Sequence, residues 1–268
     1  DWSGLLGHLD FLLKPLMGWF DLPPAAALPL IIGMLSSVYG GVAAMIVFPF
    51  SAAQMTLMAV FILTAHGLLQ EGIIQGQSGI HPLKATLVRI GAAVITLLLM
   101  APWVGSSTVM PAATDGLLPA SPAFLEMIRH WAWTTFRLTA KIFFIIMALL
   151  TLLELLKAFG WIHPFVRALG PFLRVMGLDR KVGFLWMTAV IFGLSYGGAI
   201  IVEEAKSGRL SREDLELLHL SIGTNHSMVE DPPLFLPLGI HPFWLYVPRL
   251  LMAVFIVRLV RLWQRYAR

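Results

Sequence analysis

The sequence contains no cysteine among its 268 residues. Disulfides, thiolate metal ligands and cysteine-based catalysis are therefore excluded. Charged residues are also scarce, at 13% of the chain, whereas a typical soluble domain carries about 25%. Together with a mean hydropathy of +0.80, this scarcity of charge indicates an integral membrane protein.

Several chemical signatures are missing as well. There is no glycine-rich phosphate loop, no nucleophile elbow and no basic stripe interleaved with aromatic residues. We therefore expect no enzyme, no resident cofactor and no nucleic-acid partner. A divalent metal stays open, at His226 and Glu230 if anywhere, because imidazole and carboxylate groups suit such ions, although no dense ligand motif is present.

Long apolar runs recur along the chain, for example at 87–104, 143–157 and 182–202. Roughly 20 apolar residues are needed for one helical crossing of a bilayer. No strict alternation of the barrel type is visible, so we expect the crossing segments to be helices. The predicted protein is a multi-pass, all-α membrane protein whose first partner is the lipid bilayer, and further copies of the chain, as in a homo-oligomer, are a candidate partner.

The sequence repeats itself. The word GIHP occurs at 79–82 and again at 239–242, an offset of 160. At the same offset the pairs Thr64 and Thr224, His66 and His226, Gln70 and Glu230, Glu71 and Asp231, and Arg89 and Arg249 match. The words Tyr39-Gly40-Gly41 and Tyr196-Gly197-Gly198 match at an offset of 157. So many matches in one order indicate a tandem duplication.

Each copy divides into segments in the same order. Segment b is a short amphipathic helix (2–18 and 161–177), and segment c is an apolar span (25–48 and 182–204). Segment d is a helix that ends in polar residues (52–70 and 211–229), and segment e is a final span (82–104 and 242–263). Segment a, at about 130–157, is found only in the second copy, so we expect one further spanning helix to precede the first. The predicted parts are the first repeat (1–104), an extracytoplasmic connection (105–128) and the second repeat (129–268).

The charges at equivalent ends of the two copies differ. Segment e of the second copy is followed by Arg265 and Arg268, whereas the stretch 105–128 has no Lys or Arg. By the positive-inside rule these ends lie on opposite sides of the membrane, which predicts inverted repeats and a cytoplasmic C-terminus. Inversion requires an odd number of membrane crossings in each copy. Segments a, c and e give three crossings if segment b lies at the interface and segment d is re-entrant. Segment d of the first copy is, however, apolar enough to span.

The polar residues at the end of segment d are the candidate site. His66 and Gln70, like His226 and Glu230, are four positions apart and are predicted to share one helical face. Ionisable groups at membrane depth are costly and mark a site by default, and inverted-repeat transporters bind substrate at broken helices. The predicted binding residues are His226, Glu230, Asp231, Asn225 and Thr224, with His66, Gln70, Glu71 and Thr64 opposite, Arg249 and Arg89 as counter-charges, and Pro232 and Pro233 as helix breakers. The alternative is a structural cluster near the membrane–water interface, where its polar groups are hydrated and paired in salt bridges.

Two glycine pairs inside the apolar segments c are a further candidate feature. Gly40 and Gly41 follow Tyr39, and Gly197 and Gly198 follow Tyr196. Small residues at these places permit either close helix packing or local unwinding.

The YGG word in a span, the Thr-x-His pattern, GIHP and the tandem arrangement together resemble the nucleoside-recognition, or Gate, domain family. Concentrative nucleoside transporters, ferrous-iron transporter B proteins and spore maturation proteins A and B share that domain. The resemblance covers nearly all of the chain. It implies a helical bacterial inner-membrane protein with two oppositely oriented Gates and a site built from their helix breaks. It carries over no substrate, and the cysteine that iron transporters place in their Gates is absent.

We therefore expect a transporter-like protein that moves a small polar solute or ion between two inverted Gate repeats. The main alternative is a non-transporting scaffold or assembly factor of the spore-maturation type. A channel would need a continuous polar stripe, and a lipid-modifying enzyme would need a cavity open sideways to the bilayer.

Overall fold

The computed structural model describes residues 14–105, 124–161, 164, 168 and 170–266, and within these the chain is helical with no strand. The helices of the first copy are α1 (Ala27–Leu35), α2 (Val38–Met45), α3 (Ala52–Ala65), α4 (Leu68–Gln77) and α5 (Pro82–Val104), with a 3-10 turn at Pro24–Ala26. The second copy has α6 (Phe124–Ala158), α7 (Gly170–Met176), α8 (Arg180–Lys206), α9 (Arg212–Asn225), a 3-10 helix (Pro232–Leu238) and α10 (Pro242–Tyr266). This confirms the predicted all-α membrane class.

Segment c, which the sequence predicted as an apolar span open to local unwinding, is interrupted in both copies. In the first copy the helix stops at Ser36 and restarts behind Ser37, whose side chain accepts a hydrogen bond from Gly40 N at 3.3 Å. In the second copy Gly193 has non-helical angles (φ 72°, ψ 174°) inside α8. Ser36 and Gly193 are 157 positions apart, so the two breaks occupy equivalent places.

Segment d starts as predicted and ends earlier than predicted. Both copies begin with a capping box, Ser51 with Gln54 and Ser211 with Asp214, which satisfies free N–H groups at the helix start. The helices end at Ala65 and Asn225, not at 70 and 229. The prolines at 232 and 233 are therefore not the cause of the break; they begin the 3-10 helix that follows it.

Three stretches of the described chain are long and apolar enough to cross a membrane: Ala52–Gln77, Pro82–Val104 and Pro242–Tyr266. The first of them runs through α3 and α4, across the break in segment d. The sequence left open whether this segment is re-entrant or spans, and its length and composition favour spanning in the first copy.

The helices of the two copies pack crosswise. Within each copy segment d lies against segment e, α3 on α5 and α9 on α10, and between copies α9 also lies on α5 and α3 on α10. At one end of this four-helix arrangement Lys84 and Gln264 both donate hydrogen bonds to Glu216. Although burial raises the pKa of Glu216, these two hydrogen bonds hold it below its ordinary value. The first and second copies are thus tied together near the centre and at this end.

Some predicted segments fall partly outside the described residues. Most of segment b in the first copy lies before residue 14, and 106–123 of the predicted connection is likewise outside them. Helix α6 begins at Phe124, within the stretch 105–128 that the sequence assigned to the connection. In the second copy the end of segment b is helical, at Gly170–Met176.

The glycine pairs of segment c lie at close helix contacts. A Cβ on Gly41 would lie 2.9 Å from Cδ1 of Ile62 in α3, and one on Gly198 would lie 2.6 Å from Cγ2 of Ile74 in α4. A Cβ on Gly197 would lie 2.8 Å from Cα of Ala189, across the kink of α8. Close packing is therefore their role, and the breaks themselves lie elsewhere.

We predict that Gly197→Ala destabilises the protein. Because the obstructing atoms of Ala189 are backbone, the helix must move, at a cost of about 1–3 kcal/mol in the free energy of unfolding. Thermal melting in detergent measures this. Gly91→Ala, in α5 with nothing within 4 Å of its Cβ, is the matched control and should be neutral or stabilising. Equal melting temperatures for both variants would contradict the close contact between Gly197 and Ala189 across the kink.

Candidate functional site

The two breaks in segment d have the same backbone geometry. His66 (φ −80°, ψ 162°) and His226 (φ −65°, ψ 165°) are extended. Each is followed by a left-handed residue, Gly67 at φ 56° and Ser227 at φ 50°. Glycine takes this conformation freely, whereas for serine it is strained. The chain therefore turns directly after each histidine, and a spacing of four no longer places two residues on one helical face.

Of the two polar residues predicted after each histidine, this turn places the second at the site. Gln70 is exposed and Glu230 only half-buried, whereas Glu71 and Asp231 are 6% and 4% exposed. The sequence prediction that Gln70 and Glu230 share a helical face with the histidines is therefore wrong. The neighbouring residue in each copy takes that place, five positions after the histidine.

Each break is held by an arginine from segment e. Arg89 donates from Nε to Thr64 O (3.3 Å) and from Nη2 to His66 O (2.8 Å). Arg249 makes the same two bonds, to Thr224 O (3.2 Å) and His226 O (2.9 Å). The last carbonyls of a helix lack intrahelical donors, and both guanidinium groups are 0–1% exposed. Both arginines therefore cap the broken helices, and this role comes ahead of the predicted role as counter-charges.

The two arginines differ in their remaining contact. Arg89 Nη1 lies 2.6 Å from Glu71 Oε2 and forms an ion pair. Among the described residues, Arg249 Nη1 and Asp231 Oδ2 have no hydrogen-bond partner. Aspartate is one methylene shorter than glutamate, so the equivalent pair does not close in the second copy.

The histidines meet at the centre. Nδ1 of His66 lies 3.0 Å from Ile62 O, and Nδ1 of His226 lies 2.9 Å from Ile222 O. Because a carbonyl only accepts, each Nδ1 carries the proton, and in the neutral ring each Nε2 then offers a lone pair. The two Nε2 atoms are 3.2 Å apart.

Carboxylate oxygens surround this pair of nitrogens. Glu71 Oε1 is 2.9 Å from His226 Nε2 and 3.6 Å from His66 Nε2. Asp231 Oδ2 is 3.4 Å from His66 Nε2. Atoms that all present lone pairs face one another here, which is stable only with protons or a cation between them.

The other predicted residues take supporting places. The hydroxyls of Thr64 and Thr224 donate within their own helices, to Val60 O (2.8 Å) and Ser221 O (2.9 Å). Asn225 is fully buried, and neither amide atom has a partner in the described part of the chain. The side chain of Tyr196 lies outside the described residues, and Tyr39 is 45% exposed.

Sequence reasoning missed two buried polar residues, His219 and Gln75, which are 0% and 1% exposed. Within the described residues, neither side chain has a hydrogen-bond partner for its nitrogen or oxygen atoms. His219 precedes His226 by seven positions and Gln75 follows Glu71 by four, so each lies on the helix face of a site residue. That spacing was the available signal.

None of these residues has a polar counterpart in the other copy. The positions 160 residues away from His219 and Asn225 are Ala59 and Ala65, and the one that matches Gln75 is Phe235. Gly223 connects them to the site, since a Cβ there would lie 3.1 Å from Arg89 Cγ and 3.5 Å from Gln75 Nε2. The polar surroundings of the central cluster are therefore one-sided.

An apolar groove of about 380 Å³ lies elsewhere, between the end of α5 and the start of α10. Its lining includes Trp103, Phe243 and Trp244 and none of the central residues. Exposed aromatic and aliphatic side chains at a helix surface of this kind suit contact with lipid.

The chain is similar to the uncharacterized membrane protein YvoD of Bacillus subtilis (strain 168). The two are 28% identical over 245 residues, which cover 91% of this chain and 77% of that protein. No family model and no solved structure matches the chain.

We predict that Arg249→Met lowers the free energy of unfolding by about 2–6 kcal/mol, because two buried carbonyls lose their donors at about 1–3 kcal/mol each. Unfolding in detergent, followed by tryptophan fluorescence, measures the loss. Arg265→Met, at an exposed position near the end of α10, is the control and should change stability by less than about 0.5 kcal/mol. A loss of unfolding free energy no larger than that of the control would show that the arginine cap does not contribute to stability.

Proposed function

We propose that this membrane protein is a transporter that moves a small polar solute or ion through a site between two inverted Gate repeats of a bacterial inner membrane. One observation carries the proposal: His66, His226, Glu71 and Asp231 are buried together at a helix break contributed by each copy. Ionisable groups buried at membrane depth without function would be a net cost.

The contacts between the copies support a pseudo-twofold relation. His66 Nε2 meets His226 Nε2, so the same atom of each copy lies at the centre. A contact of a surface with its own equivalent is the mark of a twofold axis. The helix packing is reciprocal too, with α9 on α5 and α3 on α10.

Charge supports the inverted orientation. Arg258, Arg261 and Arg265 lie at the end of α10, whereas the equivalent end of α5 is followed by the stretch 105–128, which has no Lys or Arg. We infer that the end of α10 faces the cytoplasm and the end of α5 the opposite side.

The site has unused hydrogen-bonding capacity. Arg249 Nη1, Asp231 Oδ2 and both amide atoms of Asn225 lack partners within the described residues. A buried polar group left unpaired costs about 1–3 kcal/mol, so a bound polar ligand would recover this free energy. A purely structural cluster would be expected to pair its own groups.

His219 and Gln75 suggest the route of entry. They lie on α9 and α4, between the central cluster and the end where Lys84 and Gln264 hold Glu216. Their equivalent positions are Ala59 in the first copy and Phe235 in the second. Because His219 and Gln75 are only 0–1% exposed, this route is closed in the structure. We infer that water and solute reach the site from the cytoplasmic end when the route opens, whereas apolar side chains line the opposite side.

We predict that His66→Ala and His226→Ala each abolish uptake into proteoliposomes. The assay uses labelled nucleosides, nucleobases, small anions and divalent metal ions as the candidate solutes. The matched controls are His81→Ala and His241→Ala, which alter an exposed histidine pair at the same offset of 160 and should retain uptake.

Wild-type protein that moves none of these solutes, although folded and correctly inserted, would favour the scaffold alternative. Uptake that survives both central substitutions would also contradict a transport role for the cluster.

We predict one-sided access for a water-soluble thiol reagent. Since the chain has no cysteine, His219→Cys and Ala59→Cys each introduce a single thiol at equivalent positions. His219→Cys should react from the cytoplasmic side of inverted membrane vesicles, whereas Ala59→Cys should be protected from both sides. Equal reactivity at the two positions would rule out the one-sided route.

A further inference from the structure

We propose that the central cluster is a binding site for a divalent first-row transition metal ion, held by His66 Nε2, His226 Nε2, Asp231 and Glu71. The inference deepens the proposed function, on which it rests for the idea that the ion is the transported substrate. Binding itself stands on the geometry alone.

The first argument is the orientation of the imidazoles. Ile62 O and Ile222 O fix the proton of each ring on Nδ1. Metal-binding histidines are typically held by such a hydrogen bond from the ring nitrogen that does not bind the ion. The two Nε2 atoms, which come from two different helix breaks, are thereby left with lone pairs and lie 3.2 Å apart.

The second argument is distance. In a tetrahedral site with ligands at about 2.0–2.1 Å from the ion, neighbouring donor atoms are about 3.3–3.4 Å apart. The two Nε2 atoms are 3.2 Å apart, and His66 Nε2 lies 3.4 Å from Asp231 Oδ2 and 3.6 Å from Glu71 Oε1. His226 Nε2 lies 2.9 Å from Glu71 Oε1, and donor atoms of both histidines and Asp231 all lie within 4.8 Å of one another. These four of the six ligand spacings bracket those of a four-coordinate ion.

The third argument is charge. Glu71 and Asp231 face the two histidines, and the half-buried Glu230 lies beside Gly193, whose Cβ position is 3.5 Å from its Oε2. The positive charges of Arg89 and Arg249 are partly offset by the helix C-termini that they cap. When the three carboxyl groups are ionised, the cluster therefore carries an excess of negative charge that a divalent cation neutralises.

The donor set indicates the class of ion. Imidazole nitrogen is a poor ligand for Mg²⁺ and Ca²⁺ and a good one for Zn²⁺, Fe²⁺, Co²⁺ and Ni²⁺, and carboxylate accompanies it in many such sites. The alternative occupant is a proton shared between the two imidazoles, which also relieves the facing lone pairs. The experiment below separates the two.

The sequence placed a metal, if any, at His226 and Glu230. The structure favours Asp231 over Glu230, because the left-handed Ser227 turns the chain after His226. It also adds His66 from the other copy.

The test is metal binding by the purified, chelator-treated full chain in detergent. We expect Zn²⁺ to bind at one ion per chain in titration calorimetry, and Co²⁺ to give the strong visible absorption of a four-coordinate complex. His66→Ala and His226→Ala should each lose both signals, whereas His81→Ala and His241→Ala should keep them. Melting of each variant without metal shows that the loss is not unfolding, and Asp231→Asn, nearly isosteric, provides a second variant that should weaken binding about tenfold or more.

Failure of this proposal and failure of the transport proposal are distinguishable. No Zn²⁺ or Co²⁺ binding by the folded wild type, or binding that survives both histidine substitutions, would overturn the metal site, and a histidine-dependent uptake of another solute would then leave transport intact. Stoichiometric metal binding without uptake of any ion would support the site and overturn its role in transport.

Discussion

Two buried guanidinium groups make the rest of this structure possible. A helix that stops inside a membrane protein exposes carbonyl oxygens where no water is available to donate to them. Arg89 and Arg249 each reach the break from the neighbouring segment e and supply two donors to it. The planar fork of arginine, with several N–H groups in fixed directions, suits two carbonyls that are two residues apart as a lysine would not.

The break then determines the chemistry of the centre. Because each histidine follows the last helical residue, its ring folds back on a carbonyl four positions earlier. This bond sets the tautomer and aims Nε2 away from its own helix, toward the other copy. The backbone geometry of each copy therefore sets the direction of its imidazole, and these directions bring the two rings together.

The sequence predicted the class, the duplication and most members of the cluster, because a repeated polar residue in an apolar chain is a strong signal. It erred where geometry overrides periodicity. Nothing marks Ser227 as left-handed, since serine rarely adopts that conformation. The sequence therefore predicted too long a helix and placed Gln70 and Glu230 on the face of the histidines. His219 and Gln75 have no polar counterpart in the other copy, and a comparison of the repeats passes over such residues. Prolines 232 and 233 gave an apparent cause for a break that the first copy makes without them.

The unequal lengths of Glu71 and Asp231 have a consequence for the energies of the two halves. In an inverted-repeat transporter each half adopts in turn the conformation that the other has just left. In the transporter proposed above, unequal contacts in the two halves would give the two end states different free energies. Here one half closes an ion pair with its arginine and the other does not. The empty protein would then rest facing one compartment rather than alternating evenly between both.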